Sequence, residues 1–334
     1  MKALVLAAGL GTRLRPLTEV WPKPALPLLG QPLLRYALAI LARAGVTGLG
    51  LNTHHLPEVM ARVAKEEAAR AAMSLSLFHE PAILGTGGGI RGMRRAVESE
   101  EAFLVWNGDV LFAPDLAPVV AEHRTRGADA TMLLLPMPAG ERYASVEVDA
   151  DSAVRRVAGR GPGGPELVPW HFSGVHVLSP RIFAAFALEG AEDINRDVYP
   201  RLLAAGGRIH GAVRRAPWSD VGTAGRYLAA QRALLEGGFG DAFGPASPLE
   251  RARKVDGSWL VEGARVEGTL RAPVLLDAGA VVERGARAGP NVYLGPGVRV
   301  PAGCSLEDAA LLGGEVPPGG LRAAVLWAGG RLSA

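Results

Sequence analysis

A single cysteine, Cys304, stands in 334 residues, so the chain forms no internal disulfide and no cysteine-based zinc site. Lysine is almost as scarce. Of 36 basic residues, only Lys2, Lys23, Lys65 and Lys254 are lysines. No Lys/Arg block and no interleaving of basic with aromatic residues occurs, and the net charge is only +3, which argues against a nucleic-acid partner. No apolar run reaches the roughly 18 residues that a membrane span needs. The apolar start M-K-A-L-V-L-A-A-G is short for a secretory signal, and Arg13 and Arg15 follow at once. A cytoplasmic location without membrane association is therefore expected. The seven histidines show no ligand spacing beyond the adjacent His54 and His55, and none follows His210. Polar surface or satisfied core is their expected place.

What is present is a globular composition, with 49% apolar residues and enough chain for two domains. Strand-length apolar runs at 2–8, 46–52, 74–78, 102–105 and 130–135 alternate with helical patterns at 32–43, 57–72 and 116–126. This alternation predicts right-handed βαβ units and a mostly parallel sheet, with ligands at the carboxyl ends of its strands. Short alternating strands follow over 145–157, then a Gly/Pro loop at 159–165, a strand at 172–178 and helices at 193–205 and 223–235. Breakers cluster from Glu236 onward. The expected organisation is a first domain over 1–236, a linker over 237–260 and a second domain over 261–334.

The second domain keeps a six-residue beat. Leu270, Leu276, Val282, Ala288, Leu294, Val300, Leu306 and Leu312 are spaced by six, and Val274, Ala280, Ala286, Val292, Val298, Cys304, Ala310 and Val316 each fall four residues later. All sixteen are apolar and the second eight are small, the pattern of a parallel β-helix built from hexapeptides. Cys304 lands at a corner, so packing is its expected role.

The remaining signal lies near the amino terminus. A-A-G-L-G-T-R-L-R-P-L-T (7–18) follows the first strand, and Lys23 sits between Pro22 and Pro24. The P-loop pattern is absent, and Gly9-x-Gly11 is followed by Leu14 where a dinucleotide loop needs its third glycine. Glycines let main-chain N–H groups approach phosphate. Arg13 offers a bidentate fork and Lys23 a point charge, stiffened by its prolines. A triphosphate loop with its own cations fits these residues; a plain chain turn is the alternative.

G-L-G-T-R-L-R-P-L-T with W-P-K-P resembles the signature of sugar-1-phosphate nucleotidylyltransferases. E-P-A-I-L-G-T-G-G-G (80–89), W-N-G-D (106–109) and W-S-D-V-G-T (218–223) follow in that family's order. The resemblance spans roughly residues 1–235, and a hexapeptide domain behind it is a familiar arrangement. It implies an α/β fold: a Rossmann-like, mostly parallel sheet sandwiched by helices, followed by a left-handed parallel β-helix. It implies an enzyme of cell-surface sugar synthesis that forms an NDP-sugar and pyrophosphate from an NTP and a sugar 1-phosphate. By resemblance, Arg13 stabilises the leaving phosphates, Lys23 the α-phosphate, and Asp109 and Asp220 hold Mg²⁺. Leu6, Ala8, Gly9, Gly11, Thr12, Glu80, Gly85 and Thr86 would line the nucleotide, and Asn107, Gly174 and Trp170 the sugar.

The Glu80 carboxylate, an acceptor only, matches the two adjacent N–H groups of guanine and favours GTP over UTP. The 80–89 loop is similar to that of mannose-1-phosphate guanylyltransferases, whereas T-G-G-G-I, F-S-G and W-S-D-V-G-T also resemble N-acetylmuramate-1-phosphate uridylyltransferases. The family's second lysine, in an E-K-P stretch, has no counterpart here. Arg142, Arg156 or Arg160 is its candidate substitute, and Trp170 and His171 occupy the region. A silent sugar-nucleotide-binding regulatory subunit is the competing reading. The β-helix is expected to join copies into a homo-oligomer, so that its removal weakens assembly more than chemistry.

Overall fold

The computed structural model describes residues 1–138, 140–141 and 143–334. The chain divides into two compact units, Met1–Gly9 with Ala37–Trp218 and Leu10–Tyr36 with Ser219–Ala334. This differs from a boundary near residue 236. Residues 10–36 group with the carboxyl-terminal third because their apolar side chains and the carbonyls of a short hairpin find partners there, as described below.

The first unit is built on a mixed nine-stranded sheet. Its strands are β1 (Lys2–Leu6), β2 (Gly48–Thr53), β3 (Ser74–His79), β4 (Phe103–Asn107), β5 (Ala130–Leu135), β6 (Ser145–Val148), β7 (Val154–Val157), β8 (Val168–Leu178) and β9 (Ile209–Val213). The main path runs β7-β6-β8-β4-β1-β2-β3, with β5 also on β8 and β9 on β5. The pairs β1–β2, β1–β4, β2–β3 and β5–β9 are parallel, and β8 is antiparallel to β4, β5 and β6. Every residue of β2 and β5 is buried, as expected for strands covered on both faces. Leu4, Phe103, Val105, Met132, Leu134 and Tyr199 belong to one core cluster.

Helix α1 (Leu33–Arg43) precedes β2, and α2 (Pro57–Arg70) leads to β3. The chain then returns to the other side of β1 through β4. The strand order reverses at β1, so the carboxyl ends of β1 and β4 form the topological switch point where such sheets take ligands. Leu6 pairs with Asn107 at that end.

The glycine stretch after Glu80, expected as loop through Thr86, contains helix α3 (Gly85–Gly92). Glycine is tolerated because neighbours crowd it. A Cβ on Gly87 would stand 2.8 Å from Glu192 Cγ, and one on Gly89 would stand 2.6 Å from Asn52 Nδ2. The remaining helices used below are α4 (Ala117–Thr125), α5 (Tyr199–Ala204) and α6 (Ala224–Leu235).

In the second unit, parallel pairing joins Val274 to Val292, Val281 to Arg299 and Arg287 to Ser305. Each pair is three hexads apart, so one coil takes three hexads, which makes a β-helix. Leu276, Val282, Ala288, Leu294, Val300 and Leu306 fill its interior, and Cys304 is buried at a corner among them. The beat slips by one residue near Asp308, whose φ is +51°. Val292 and Leu294 pair with Ala309 and Leu311, and these, rather than Ala310 and Leu312, enter the core cluster.

Pairing also begins earlier than residue 261, because Ser258–Val261 runs parallel to Val274–Leu276. The expected linker is therefore structured: Phe239 and Phe243 are buried, and Ala252–Val255 forms a hairpin with Ser258–Val261. An antiparallel pair, Gly320–Trp327 with Gly330–Ser333, closes the chain. Among the described residues, no helix is long and apolar enough to cross a membrane.

Three buried imidazoles in the first unit resist protonation. Burial pushes His123 and His171 down to about 4 and His176 to about 3, from an ordinary 6.5. Below pH 6.5 the unfolded chain therefore binds more protons than the folded one. The stability these groups contribute is complete above that value and is lost as pH falls through the folded values. Urea unfolding at pH 7.5 and pH 5 should differ by on the order of 1 to 2 kcal/mol per imidazole, with a shallower pH slope in His176→Phe.

Candidate active site

In the first unit, the carboxyl ends of β1, β2 and β3 are tied by a buried relay. The Ala7 N–H donates to Asn52 Oδ1 (2.6 Å), Asn52 Nδ2 to Glu80 Oε1 (2.7 Å) and the Leu84 N–H to Glu80 Oε2 (2.9 Å). The Glu80 N–H donates to the Thr53 carbonyl, and Glu80 is 0% exposed. Glu80, the residue expected at the base edge, is thus engaged by donors of the chain itself. Both oxygens brace the floor of the crevice, because a buried carboxylate must be matched by donors.

The next turn is equally occupied. The Thr86 hydroxyl donates to Asp193 Oδ2 (3.1 Å) and accepts from the Ile194 N–H (2.9 Å). The N–H groups of Gly87 and Gly88 converge on the Glu192 carbonyl (2.9 and 3.2 Å). Gly85 has φ +72°, and a Cβ there would lie 2.5 Å from that same carbonyl oxygen. Arg91 Nη1 holds the Glu192 carboxylate at 2.6 Å, and Arg201 binds its other oxygen. Gly85 and Thr86 therefore shape the wall of the crevice.

Gly9, by contrast, faces open space, with nothing within 4 Å of where a Cβ would stand. Ala8 beside it is buried. At the end of β4, the Gly108 N–H donates to the Leu6 carbonyl (3.0 Å), and Asp109 follows. Asn107 and Gly174 come together: Gly174 has φ +88°, and a Cβ there would lie 3.1 Å from Asn107 Nδ2. Trp170 lies on the same strand as Gly174. It pairs in register with Val146 and packs against the core cluster.

The candidate replacements for the second lysine are spent on neighbours. Arg156 pairs with Glu147 (3.5 Å), and Arg160 donates to the Arg196 carbonyl (2.7 Å) beside Asp197. Arg142 lies outside the described residues.

The second unit holds the cations. Gly11, with φ +65°, opens a 3₁₀ turn over Thr12–Leu14. Leu14 and Leu17 are fully buried, and they anchor the loop from which Arg13 and Thr12 are exposed. The Thr18 hydroxyl donates to the Gly11 carbonyl (2.9 Å). A Cβ on Gly11 would meet Thr18 Cγ2 at 2.8 Å and Lys23 Cγ at 3.1 Å, so the Lys23 stem passes over this glycine.

Gly222 leaves a notch. A Cβ there would lie 3.0 Å from Arg13 Nη2 and 3.3 Å from Asp220 Oδ2. Arg226, in the first turn of α6, donates to Asp220 Oδ2 at 2.7 Å, and the Thr223 hydroxyl caps that helix. Arg226 escaped the sequence reading. Its only signal was an Asp and an Arg six residues apart across a helix start.

Lys23 leads into a hairpin, Pro27–Leu28 with Gln31–Pro32. Its tip residues, Leu29 and Gly30, have φ +50° and +75°, as a two-residue I′ turn demands. Tyr36 donates to the Leu28 carbonyl (2.7 Å) and Tyr227 to that of Pro27. Tyr293 of the β-helix donates to Asp277 Oδ2 (2.9 Å), which also accepts from Arg251 (2.7 Å). A Cβ on Gly30 would collide with the Tyr293 hydroxyl. The coil thus bears directly on the hairpin that follows Lys23, a duty beyond the expected one of assembly.

The chain is similar to proteins of known kind. The family model described as nucleotidyl transferase matches residues 2–237. A mannose-1-phosphate guanylyltransferase of Mycobacterium tuberculosis is 33% identical over 312 residues, covering 91% of this chain and 82% of that protein. A probable mannose-1-phosphate guanylyltransferase 3 of Oryza sativa subsp. japonica is 28% identical, covering 93% and 80%. Among solved structures, HddC from Yersinia pseudotuberculosis superposes with a TM-score of 0.59 at 23% identity, over 69% of this chain and 97% of that one. Its complex with GMP-PN gives 0.58. These two share the fold.

The close approach at the hairpin tip sets a stability test. Gly30→Ala should cost about 2 kcal/mol or more than Gly297→Ala, since both residues have φ near +70° but only Gly30 meets another atom within 4 Å. Paired denaturant melts of the two variants measure this difference, and equal losses would contradict the contact.

Proposed function

The chain belongs to the nucleotidyl transferase family, and on that premise we propose that it joins GTP to mannose 1-phosphate, or a closely related sugar 1-phosphate, and releases pyrophosphate. The observation that carries this reading is the Arg13 guanidinium held beside the Asp220 carboxylate in the notch left by Gly222. The reaction needs a cation for departing phosphates and an anion for a metal, side by side.

A sugar-phosphate oxygen attacks the α-phosphorus, a P–O bond forms, and the α–β bridging P–O bond breaks as pyrophosphate leaves. No covalent nucleophile is required, so positioning and charge neutralisation supply the catalysis. Gly9, with its open approach, and Gly11 bring main-chain amides to the phosphates, with Thr12 beside them. Arg13 neutralises charge that builds on the leaving pyrophosphate, and Lys23 neutralises the α-phosphate. Asn107 and Gly174 flank the sugar.

Asp109, in the first unit, and Asp220, in the second, are the carboxylates that the family resemblance proposes for Mg²⁺. Among the described residues no cluster of three or more His, Cys, Asp or Glu exists. A donor set of two carboxylates, completed by phosphate oxygens and water, is how this ion is usually held. When bound it would screen the phosphates and polarise the α-phosphoryl group. Arg226 donates to the Asp220 carboxylate and fixes its orientation.

With Glu80 engaged internally, the choice of GTP rests on the relatives, whose names specify guanylyl transfer. Pyrophosphate release should therefore be fastest with GTP and mannose 1-phosphate. Faster turnover with UTP would reassign the base, and no turnover with any NTP and sugar 1-phosphate would favour a silent regulatory subunit. Arg13→Ala and Lys23→Ala should each lower kcat/KM by roughly 100-fold or more, as loss of a charge-stabilising donor does, while melting temperature holds.

Assembly belongs to the same proposal. The edge strand Ala252–Val255 pairs on one side only, a surface that a second copy can cover. Solution scattering of the full chain should return more than one protomer; a monomer mass would remove this part.

A further inference from the structure

The residues of the first unit assigned to the substrates lie at the end of β4 marked by Asn107. A second hollow lies at the opposite edge of the same sheet. Leu178 of β8 pairs with Phe103 of β4 and with Ala130 of β5, and Ala130 pairs with Ile209 of β9. Ala130 and Ile209 are therefore level with the first residue of β4, about 13 Å along the strand from Asn107. A cavity of about 350 Å³ opens there, large enough for a small metabolite. Buried Val154 and Ile209 and half-buried Leu203 supply its apolar lining.

Arg126, Arg155 and Arg208 line the same cavity from three separate segments. The first follows α4, the second lies in β7 and the third precedes β9. Most of their donors are unspent. Arg155 Nε donates to Asp149 Oδ2 (2.7 Å), and Arg126 Nη1 to the Asp151 carbonyl (3.2 Å). Among the described residues no other side-chain hydrogen bond engages either of them, and none engages the Arg208 guanidinium. That group lies over Gly127, where a Cβ would stand 3.2 Å from its Nη2. Asp129 beside it is taken by the Arg208 main-chain N–H (2.7 Å) and by Arg181. His210, also in the lining, is committed to the Ser152 carbonyl and Glu122. Three guanidinium groups thus face two carboxylates, Asp149 and Asp151, and the surplus is positive.

We infer that Arg126, Arg155 and Arg208 form a second anion site, which takes a small phosphate monoester with its phosphate on the guanidinium groups and its organic part against Val154, Leu203 and Ile209. A phosphate offers several charged oxygens at once, the acceptor set that guanidinium forks match best. The apolar lining has no use for a bare ion and suits an organic body. Remote from the residues assigned to the substrates, the site holds a ligand that is bound and not transformed. It goes beyond the reaction proposed above and does not depend on it.

The test titrates the full chain by calorimetry at low salt, where exposed charges are least screened. The probes are a hexose 6-phosphate, a triose phosphate and inorganic phosphate. At least one ester should bind the wild type. Arg126→Ala/Arg208→Ala should weaken that binding about 10-fold or more, as loss of charge-assisted hydrogen bonds does. Arg253→Ala/Arg265→Ala removes the same charge from exposed positions of the second unit and should change nothing. All four side chains are exposed, so both variants should melt with the wild type. Arg208→Lys keeps the charge without the fork and should lose less than Arg208→Ala.

Equal affinities in the wild type and Arg126→Ala/Arg208→Ala, or no binding of any probe, overturn the site. An equal loss in Arg253→Ala/Arg265→Ala overturns it too, because net charge alone would then be the cause. Inorganic phosphate bound as tightly as either ester overturns the role of the apolar lining. Turnover of GTP and mannose 1-phosphate without the probes should be the same in all variants, and its absence from the wild type would strike the proposed reaction while leaving the titration readable.

Discussion

A guanidinium and a carboxylate can flank one point of backbone only if that point lacks a Cβ. Gly222 supplies it. Arg13 Nη2 and Asp220 Oδ2 both lie within 3.3 Å of where a side chain would begin, and Arg226 restrains the carboxylate from the adjoining helix. The proposed chemistry depends on this arrangement, because it needs cation and anion close together without mutual cancellation. Arg226 pairs with Asp220 from the first turn of α6.

Residues on the strand ends do a different kind of work. Glu80 looks like a ligand-binding group in sequence, but its oxygens accept from Asn52 and the Leu84 N–H, and Asn52 in turn accepts from the Ala7 N–H. The crevice floor is thereby fixed before any substrate arrives. Preorganisation of this sort lowers the ordering cost of binding. It also explains why the wall beyond it is so rich in glycine: each of Gly85, Gly87 and Gly89 meets a neighbour too closely for a methyl group.

Much of this was legible in the sequence. Buried parallel strands show as continuous apolar runs, so β5 was read to the residue and β1 and β2 to within two residues at each end. The hexapeptide beat was read because each coil repeats the same demand for one large and one small apolar residue. The slip near Asp308 escaped, since Ala309 and Ala310, and Leu311 and Leu312, are chemically interchangeable and only strand pairing selects between them. Helix α3 escaped because glycine propensity opposes it, and close tertiary approach decides the matter. The bond between Glu80 and Asn52 escaped because the sheet alone brings those two residues together. The notch at Gly222 and the role of Arg226 are likewise products of folding, invisible to spacing along the chain.

Helix α6 begins at the cap beside Asp220 and ends stitched to the coil. Gln231 Nε2 reaches the Asn291 and Ala309 carbonyls, and Arg232 reaches Asp308. Together with Tyr293 against the hairpin that follows Lys23, these bonds fall on two neighbouring rungs of the solenoid. Divergence among descendants of this chain is thereby channelled. The rungs carrying Asn291, Tyr293 and Asp308 inherit constraints from helix α6 and from the hairpin that follows Lys23.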